Sequence, residues 1–262
     1  SGLFEDSITQ HFSGIYSTFL IPNNHPDPDH RLHHLKMAIK MIYASMFSPE
    51  AKGYFSAIHY KVEEEKMAIV IQEVAGSGHG ERFYPHISGV AQSYNYYPVS
   101  YMKPEDGVVM MAAGLGAYVV GGENCFRFCP NYPKVEMLSQ KDLLAHTQKH
   151  LYAIDMSKKE SDLTKGEWAT LTEVGIEEAE KDGSLNYSVS VYDYENQRIR
   201  PGLNFSGQRL INFPHIIQFD YLPLAKTISD ILALGTKALG TPVEIEFAVT
   251  LDKNKETKGT FY

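Results

Sequence analysis

Hydrophobic positions change period along the chain, and each period predicts a different element. After Asp27-Pro28, a capping side chain followed by a residue suited to the first helical turn, Leu32, Leu35, Ile39, Ile42 and Met46 recur at spacings of 3, 4, 3 and 4. That spacing predicts an amphipathic helix with one face toward a core. Ser48-Pro49 should end or bend it, because the residue before Pro is driven out of the α region. Beyond Glu63-Glu64-Glu65, the continuous apolar run Met67-Ala68-Ile69-Val70-Ile71 is rich in β-branched residues and predicts a strand buried on both faces. Two further strands are expected near 87–94 and 107–111. Before them Gly76-Ser77-Gly78-His79-Gly80 reads as a loop whose glycines permit positive φ.

Between 157 and 182 charges mix at close spacing around Trp168, which predicts helices and solvated loops. From Pro223 the pattern sharpens: Leu224, Ile228, Ile231, Leu232 and Leu239 suit a second amphipathic helix, stopped by Gly240 and Pro242. Val243-Glu244-Ile245-Glu246-Phe247-Ala248-Val249 then alternates Val, Ile, Phe and Val against Glu, Glu and Ala, the clearest strand in the chain. Side chains two apart on a strand share a face and lie ~7 Å apart. Glu244 and Glu246 therefore point the same way, opposite an apolar face. There is no internal repeat and no low-complexity tract.

Composition narrows the class. Of 262 residues 43% are hydrophobic and 21% charged, so disordered, collagenous and disulfide-scaffold chains are excluded. The length fits one large domain or two small ones. The apolar run Val108 to Val120, free of charge and strong polarity, has 13 residues, short of the ~20 a bilayer-spanning helix needs. With no leader pattern and two cysteines, the expectation is a cytoplasmic chain without a membrane segment. A net charge of −8 argues against nucleic acid as a partner, while leaving room for a local basic groove for phosphates. The chain opens on Ser, not Met, which suggests an excised piece of something longer.

Several features could carry chemistry. Paired carboxylates such as Glu244 and Glu246 can hold Mg²⁺, which prefers oxygen ligands and shares its shell with waters and phosphates; on spacing alone, the solvent face of a strand explains them more economically. His25, His30, His33 and His34 gather around the first helix, and His30 with His34 forms an i, i+4 pair. No acidic or Cys partner falls at a familiar spacing, so a solvated helix start is expected. Cys125 and Cys129 lack a second pair and read as two buried small residues. Gly114-Leu115-Gly116 is only a fragment of a dinucleotide fingerprint, and neither a Walker loop nor Gly-x-Ser-x-Gly occurs. Gln72-Glu73-Val74-Ala75 follows the buried run directly, where backbone groups leaving a sheet can hold adenine; an ordinary strand end explains it equally.

Taken together and in order, these segments resemble the nucleotide-binding domain of the phosphoenolpyruvate synthase and pyruvate phosphate dikinase family, an ATP-grasp fold. Ser1-Gly2-Leu3-Phe4-Glu5-Asp6 with Phe12-Ser13-Gly14 and Thr18 resembles the family's Arg-Ser-Ser…Glu-Asp…Phe-Ala-Gly…Thr loop over the phosphates, without its Arg. Ile69-Val70-Ile71-Gln72-Glu73-Val74 resembles the hinge strand that cradles adenine. Ser88-Gly89-Val90, Gly114-Leu115-Gly116 with Val119-Val120, and Glu244-Ile245-Glu246-Phe247 resemble the family's Ser-Gly-Val, Gly-Leu-Gly-Glu-x-Val-Val and Asp-Ile-Glu-Phe segments.

The resemblance implies an α+β, ATP-grasp-like nucleotide-binding domain over 1–262, truncated at both ends, with about 134–222 matched least well. It implies ATP and Mg²⁺ as cofactors, nucleotide contacts from Gln72, Glu73, Val74, Ala75, Ser13, Gly14 and Thr18, and metal contacts from Glu246 and Glu244. The parent enzyme would be an ATP-dependent phosphotransferase, a kinase acting on a carrier His in a swivelling domain and serving a pyruvate site elsewhere, neither of which is in this sequence. The isolated chain is then expected to be inactive. Ala117 stands where the family has Glu, which raises the competing reading of a degenerate module that senses nucleotide or mediates interaction without transferring phosphate.

Overall fold

The computed structural model describes residues 14, 16–59, 61, 65–252 and 258–262. It combines helices with β-sheets and divides into two compact units. The first comprises Ser1–Val74 and Ile154–Thr172, the second Ala75–Ala153 and Glu173–Tyr262.

The first unit holds the predicted helix. Helix α1 (Pro28–Ser45) begins where Asp27 accepts the Asp29 N–H at 2.9 Å. The residue before Pro49 stops it as expected, and Ser48 caps a new helix, α2 (Pro49–Ala57), by accepting the Ala51 N–H at 3.1 Å. Tyr16, Met46, Ala51 and Phe55 pack into one core, with Tyr54, Ile58 and Met67 against it. Leu32, expected on the inward stripe, is exposed. The apolar run 67–71 also departs from expectation: only Met67 makes a β-bridge, and Val70 and Ile71 are 69% and 63% exposed. A continuous apolar run signals a capacity for burial, but a strand forms only where a neighbour supplies the ladder.

The second unit opens with a hairpin of β1 (Ser77–His79) and β2 (Arg82–Tyr84), so part of the expected glycine loop is strand and Gly80 makes its turn at φ +63°. Next come β3 (Ile87–Gln92), β4 (Val108–Ala112), the short helix α3 (Ala117–Val120) and β5 (Phe126–Phe128). The stretch matched least well by the resemblance carries regular elements throughout its length: α4 (Gln140–His146), β6 (His150–Asp155), β7 (Leu171–Gly175), α5 (Ile176–Lys181) and β8 (Val189–Asp193). It continues through β9 (Arg198–Pro201), β10 (Gln208–Ile211) and α6 (Pro214–Ile217). The helices and loops expected over 157–182 are present as 3₁₀ helices at Leu163–Lys165 and Glu167–Thr170 and helix α5, with strand β7 between them as the departure. Helix α7 (Leu224–Leu239), strand β11 (Glu244–Leu251) and strand β12 (Gly259–Phe261) close the chain, with Gly240 in the left-handed region at φ +70° as the C-cap.

The strands form three sheets, ordered β1-β2-β6-β7, β10-β8-β9 and β12-β11-β3-β4-β5. The five-stranded sheet is antiparallel throughout, and α7 lies against β3 with Leu224, Ile228 and Leu232 buried. Both cysteines are free, Cys129 buried and Cys125 half-buried. Among the described residues no helix is long and apolar enough to cross a membrane.

Candidate functional site

The register of the five-stranded sheet sorts its side chains onto two faces. Glu246 pairs with Val90, Val90 with Met110 and Met110 with Arg127, so these four share one face. One residue over, Phe247, Gly89, Met111 and Phe126 share the other. Gly89 is required by that second face. A Cβ there would lie 2.6 Å from the Met110 carbonyl oxygen and would collide with the Phe247 ring, so the missing side chain on β3 is the space the Phe occupies.

Glu244 and Glu246 are both exposed on the first face, as the alternation predicted. Glu244 accepts a hydrogen bond from the Gln92 side chain, its cross-strand partner. Two exposed carboxylates on one strand face are hard oxygen donors with room for water around them, a donor set that suits Mg²⁺. Arg127, exposed at the far end of the same row, lies three strand spacings away, ~14 Å at ~4.8 Å each. No motif marked it.

The same face carries the glycine turn. The Ser88 hydroxyl donates to the Gly114 carbonyl at 2.7 Å, and Gly114 sits at φ +88° with no space for a Cβ against Leu151. Gln148, buried, bridges both backbone groups of Ala113: its Oε1 accepts the N–H at 2.9 Å and its Nε2 donates to the carbonyl at 2.9 Å. The Leu115 N–H donates to the Tyr152 carbonyl at 3.0 Å. So anchored, the turn delivers Tyr118 and Val119 of α3 onto Val90 and Ala112. Ala117 is half-buried and brings no acid.

Acidic chemistry returns six residues later. Glu123 accepts from the Tyr152 hydroxyl at 2.8 Å and lies 3.4 Å from His150 Nε2, while Glu173 lies 3.5 Å from His150 Nδ1. Burial, then the hydrogen bond and charge of Glu123, push the Tyr152 phenol up to about 12; burial first also raises Tyr118. Burial likewise pushes the Cys125 thiol up to about 11. These residues come from three separate stretches of the chain, 118–125, 150–152 and 173, so spacing could not have found them.

The remaining sequence candidates sit elsewhere. Gln72 and Glu73 are exposed and Val74 and Ala75 half-buried, in a segment without regular structure where the chain passes from one compact unit to the next. Gly14 is exposed at φ +85°, and the exposed Thr18 donates its N–H to Glu167 Oε1 at 2.9 Å. Ser13 lies outside the described residues.

The family described as pyruvate phosphate dikinase, AMP/ATP-binding domain, matches residues 1–262. The chain belongs to this family. It is therefore an ATP-binding part of a pyruvate phosphate dikinase-like enzyme, with ATP as its ligand. No curated protein matches the sequence.

Proposed function

We propose that this pyruvate phosphate dikinase-type domain is an ATP-grasp module that binds ATP with Mg²⁺ and donates a phosphoryl group to a carrier His on another domain, toward pyruvate chemistry. The observation that carries the reading is the shared sheet face: Glu246 and the glycine turn anchored by Ser88 stand on neighbouring strands, with Arg127 along the same row. Glu246, with Glu244 beside it, would hold the metal. Bound there, Mg²⁺ supplies neutralisation of phosphate charge, the main demand of phosphoryl transfer. Arg127 offers a cation to phosphate oxygens. Gln72 to Ala75 would present backbone groups to adenine, and Ser13, Gly14 and Thr18 belong to the stretch assigned to the phosphates.

Ala117 favours a second reading, a module that binds nucleotide without transferring phosphate. Titrating ATP with and without Mg²⁺ into wild-type and Glu246→Gln protein tests the metal assignment. Binding to wild type should strengthen with Mg²⁺, and the variant should lose that strengthening while its stability stays within ~0.5 kcal/mol, as for a surface substitution. Identical Mg²⁺ dependence in the variant would remove Glu246 from the site. Transfer of labelled phosphate to a His-bearing partner domain separates the two readings, since the sensing module gives none.

A further inference from the structure

The start of α1 meets a metal-ligand set that spacing alone could not complete. His25, His30 and Glu160 each offer a donor atom, and these atoms lie within 4.8 Å of one another; no other group of three converges so among the described residues. The imidazoles of His25 and His30 stack with centroids 4.0 Å apart, and Glu160 Oε1 lies 3.8 Å from His30 Nε2. All three belong to the first compact unit.

The backbone around them is tied down independently. Asn24 donates its side-chain N–H to the Met156 carbonyl at 2.7 Å, and His34 donates through Nε2 to the Ser161 carbonyl at 3.1 Å. These bonds hold 156–161 against the helix start on both sides of Glu160. Arg31 donates to the His25 carbonyl at 2.6 Å, fixing the segment before the cap. His34, the i, i+4 partner of His30, is thus engaged with the loop, and its place as a ligand passes to Glu160.

We propose that His25, His30 and Glu160 form a binding site for a first-row divalent transition ion of the zinc class. Two imidazoles and a carboxylate are a donor set for zinc, which leaves a fourth position for water, whereas Mg²⁺ and Ca²⁺ take all-oxygen shells. His30 and Glu160 also line a groove with His34, Met37, Asp162 and Lys165. Zinc-to-nitrogen bonds of ~2.0–2.1 Å put neighbouring donors ~3.3 Å apart in a tetrahedron, so the three groups close by an ångström or so and one of the two stacked rings turns to bring both in-plane lone pairs onto the ion. Their side chains can make that move, with His30 32% and Glu160 74% exposed. His25 Nδ1 accepts the Asp27 N–H at 3.1 Å, and a neutral imidazole has one lone pair, so coordination hands that N–H to water. Asp27 is exposed, and water is at hand. The ion would clip 25–30 to 160 across a long stretch of sequence and stabilise the first unit on binding.

Calorimetric titration of the metal-free protein with Zn²⁺ at neutral pH tests this, alongside visible absorption with Co²⁺ as a reporter of tetrahedral geometry. One equivalent should bind and raise the melting temperature. His25→Ala, His30→Ala and Glu160→Gln should each weaken binding by ~10-fold or more, at least the effect that even an outer-shell partner carries. His146, exposed on α4 in the second unit and replaced by Ala, should change nothing. Glu160→Gln decides the matter by itself even if a histidine variant fails to fold, because it removes an exposed charge and should melt, without metal, at the wild-type temperature. Absence of saturable binding would overturn the site. So would zinc affinity indifferent to Glu160→Gln but lost in His34→Ala, which would assign the ion to the helix-face pair His30 and His34.

Discussion

Gly89 has no side chain, and Phe247 fills the space this leaves, so β3 and β11 fit together on that face through one Cβ position. Gly89→Ala should therefore cost about 1–3 kcal/mol, the range for overpacking a filled core. Adding Phe247→Leu should restore only part of it, since the Met110 carbonyl oxygen remains 2.6 Å from the new Cβ; urea titrations of the three proteins measure both steps. Tyr152 offers a pH test. Its folded-state proton is held more tightly than the ordinary tyrosine value of about 10 implies, so its contribution is present below that pH and lost as pH rises through about 12. Stability should fall over that alkaline window, and less steeply in Tyr152→Phe. Cys125 follows the same sign: with its thiol near 11 instead of 9, thiolate at mildly alkaline pH is ~100-fold scarcer, and alkylation of the native protein should be slower by about that factor than after unfolding.

At the scale of elements, α1, α7 and β11 were legible in the sequence because a period and a terminator agreed: Asp27-Pro28 before a 3–4 stripe, Gly240 after another, alternating Glu before an apolar partner. The strands β8 and β10 were not, since their burial includes Ser190 and depends on neighbours, not on period. Of the candidate site, alternation found the Glu244 and Glu246 face, while Glu123, His150, Glu173 and Arg127 are joined only by tertiary pairing. The run 67–71 yields a direct test of its misreading. Val70→Ala and Ile71→Ala should each change stability by no more than ~0.5 kcal/mol, as surface positions do. Ile87→Ala, wholly buried in β3, should cost about 2–5 kcal/mol on the same urea curves. Gln148 acts as a surrogate strand for Ala113, and Gln148→Ala strands a buried N–H and carbonyl. Each unmet group costs about 1–3 kcal/mol, so this variant should lose at least that much and also bind ATP less tightly as the glycine turn loosens.

At the scale of the whole molecule, Gln72 to Ala75 is the segment where the chain first leaves one compact unit for the other. If it holds adenine, ~millimolar ATP should shift its amide signals in an NMR titration and pyruvate should not; unmoved amides at that concentration would withdraw the assignment. The division into units also has a consequence in time. The first unit is discontinuous: its second piece, Ile154–Thr172, supplies the Thr170 hydroxyl that donates to the Leu20 carbonyl and the Glu167 carboxylate that accepts from Thr18. A ribosome adding about 5–20 residues per second needs on the order of 5–20 s to travel from position 74 to position 172. For that interval the nascent α1 and α2 are without the piece that completes their unit, whereas most of the five-stranded sheet waits only on β11 and β12, made last. Neither unit can finish in the order it is written, and a pause in translation between the two pieces would lengthen the exposure of the first.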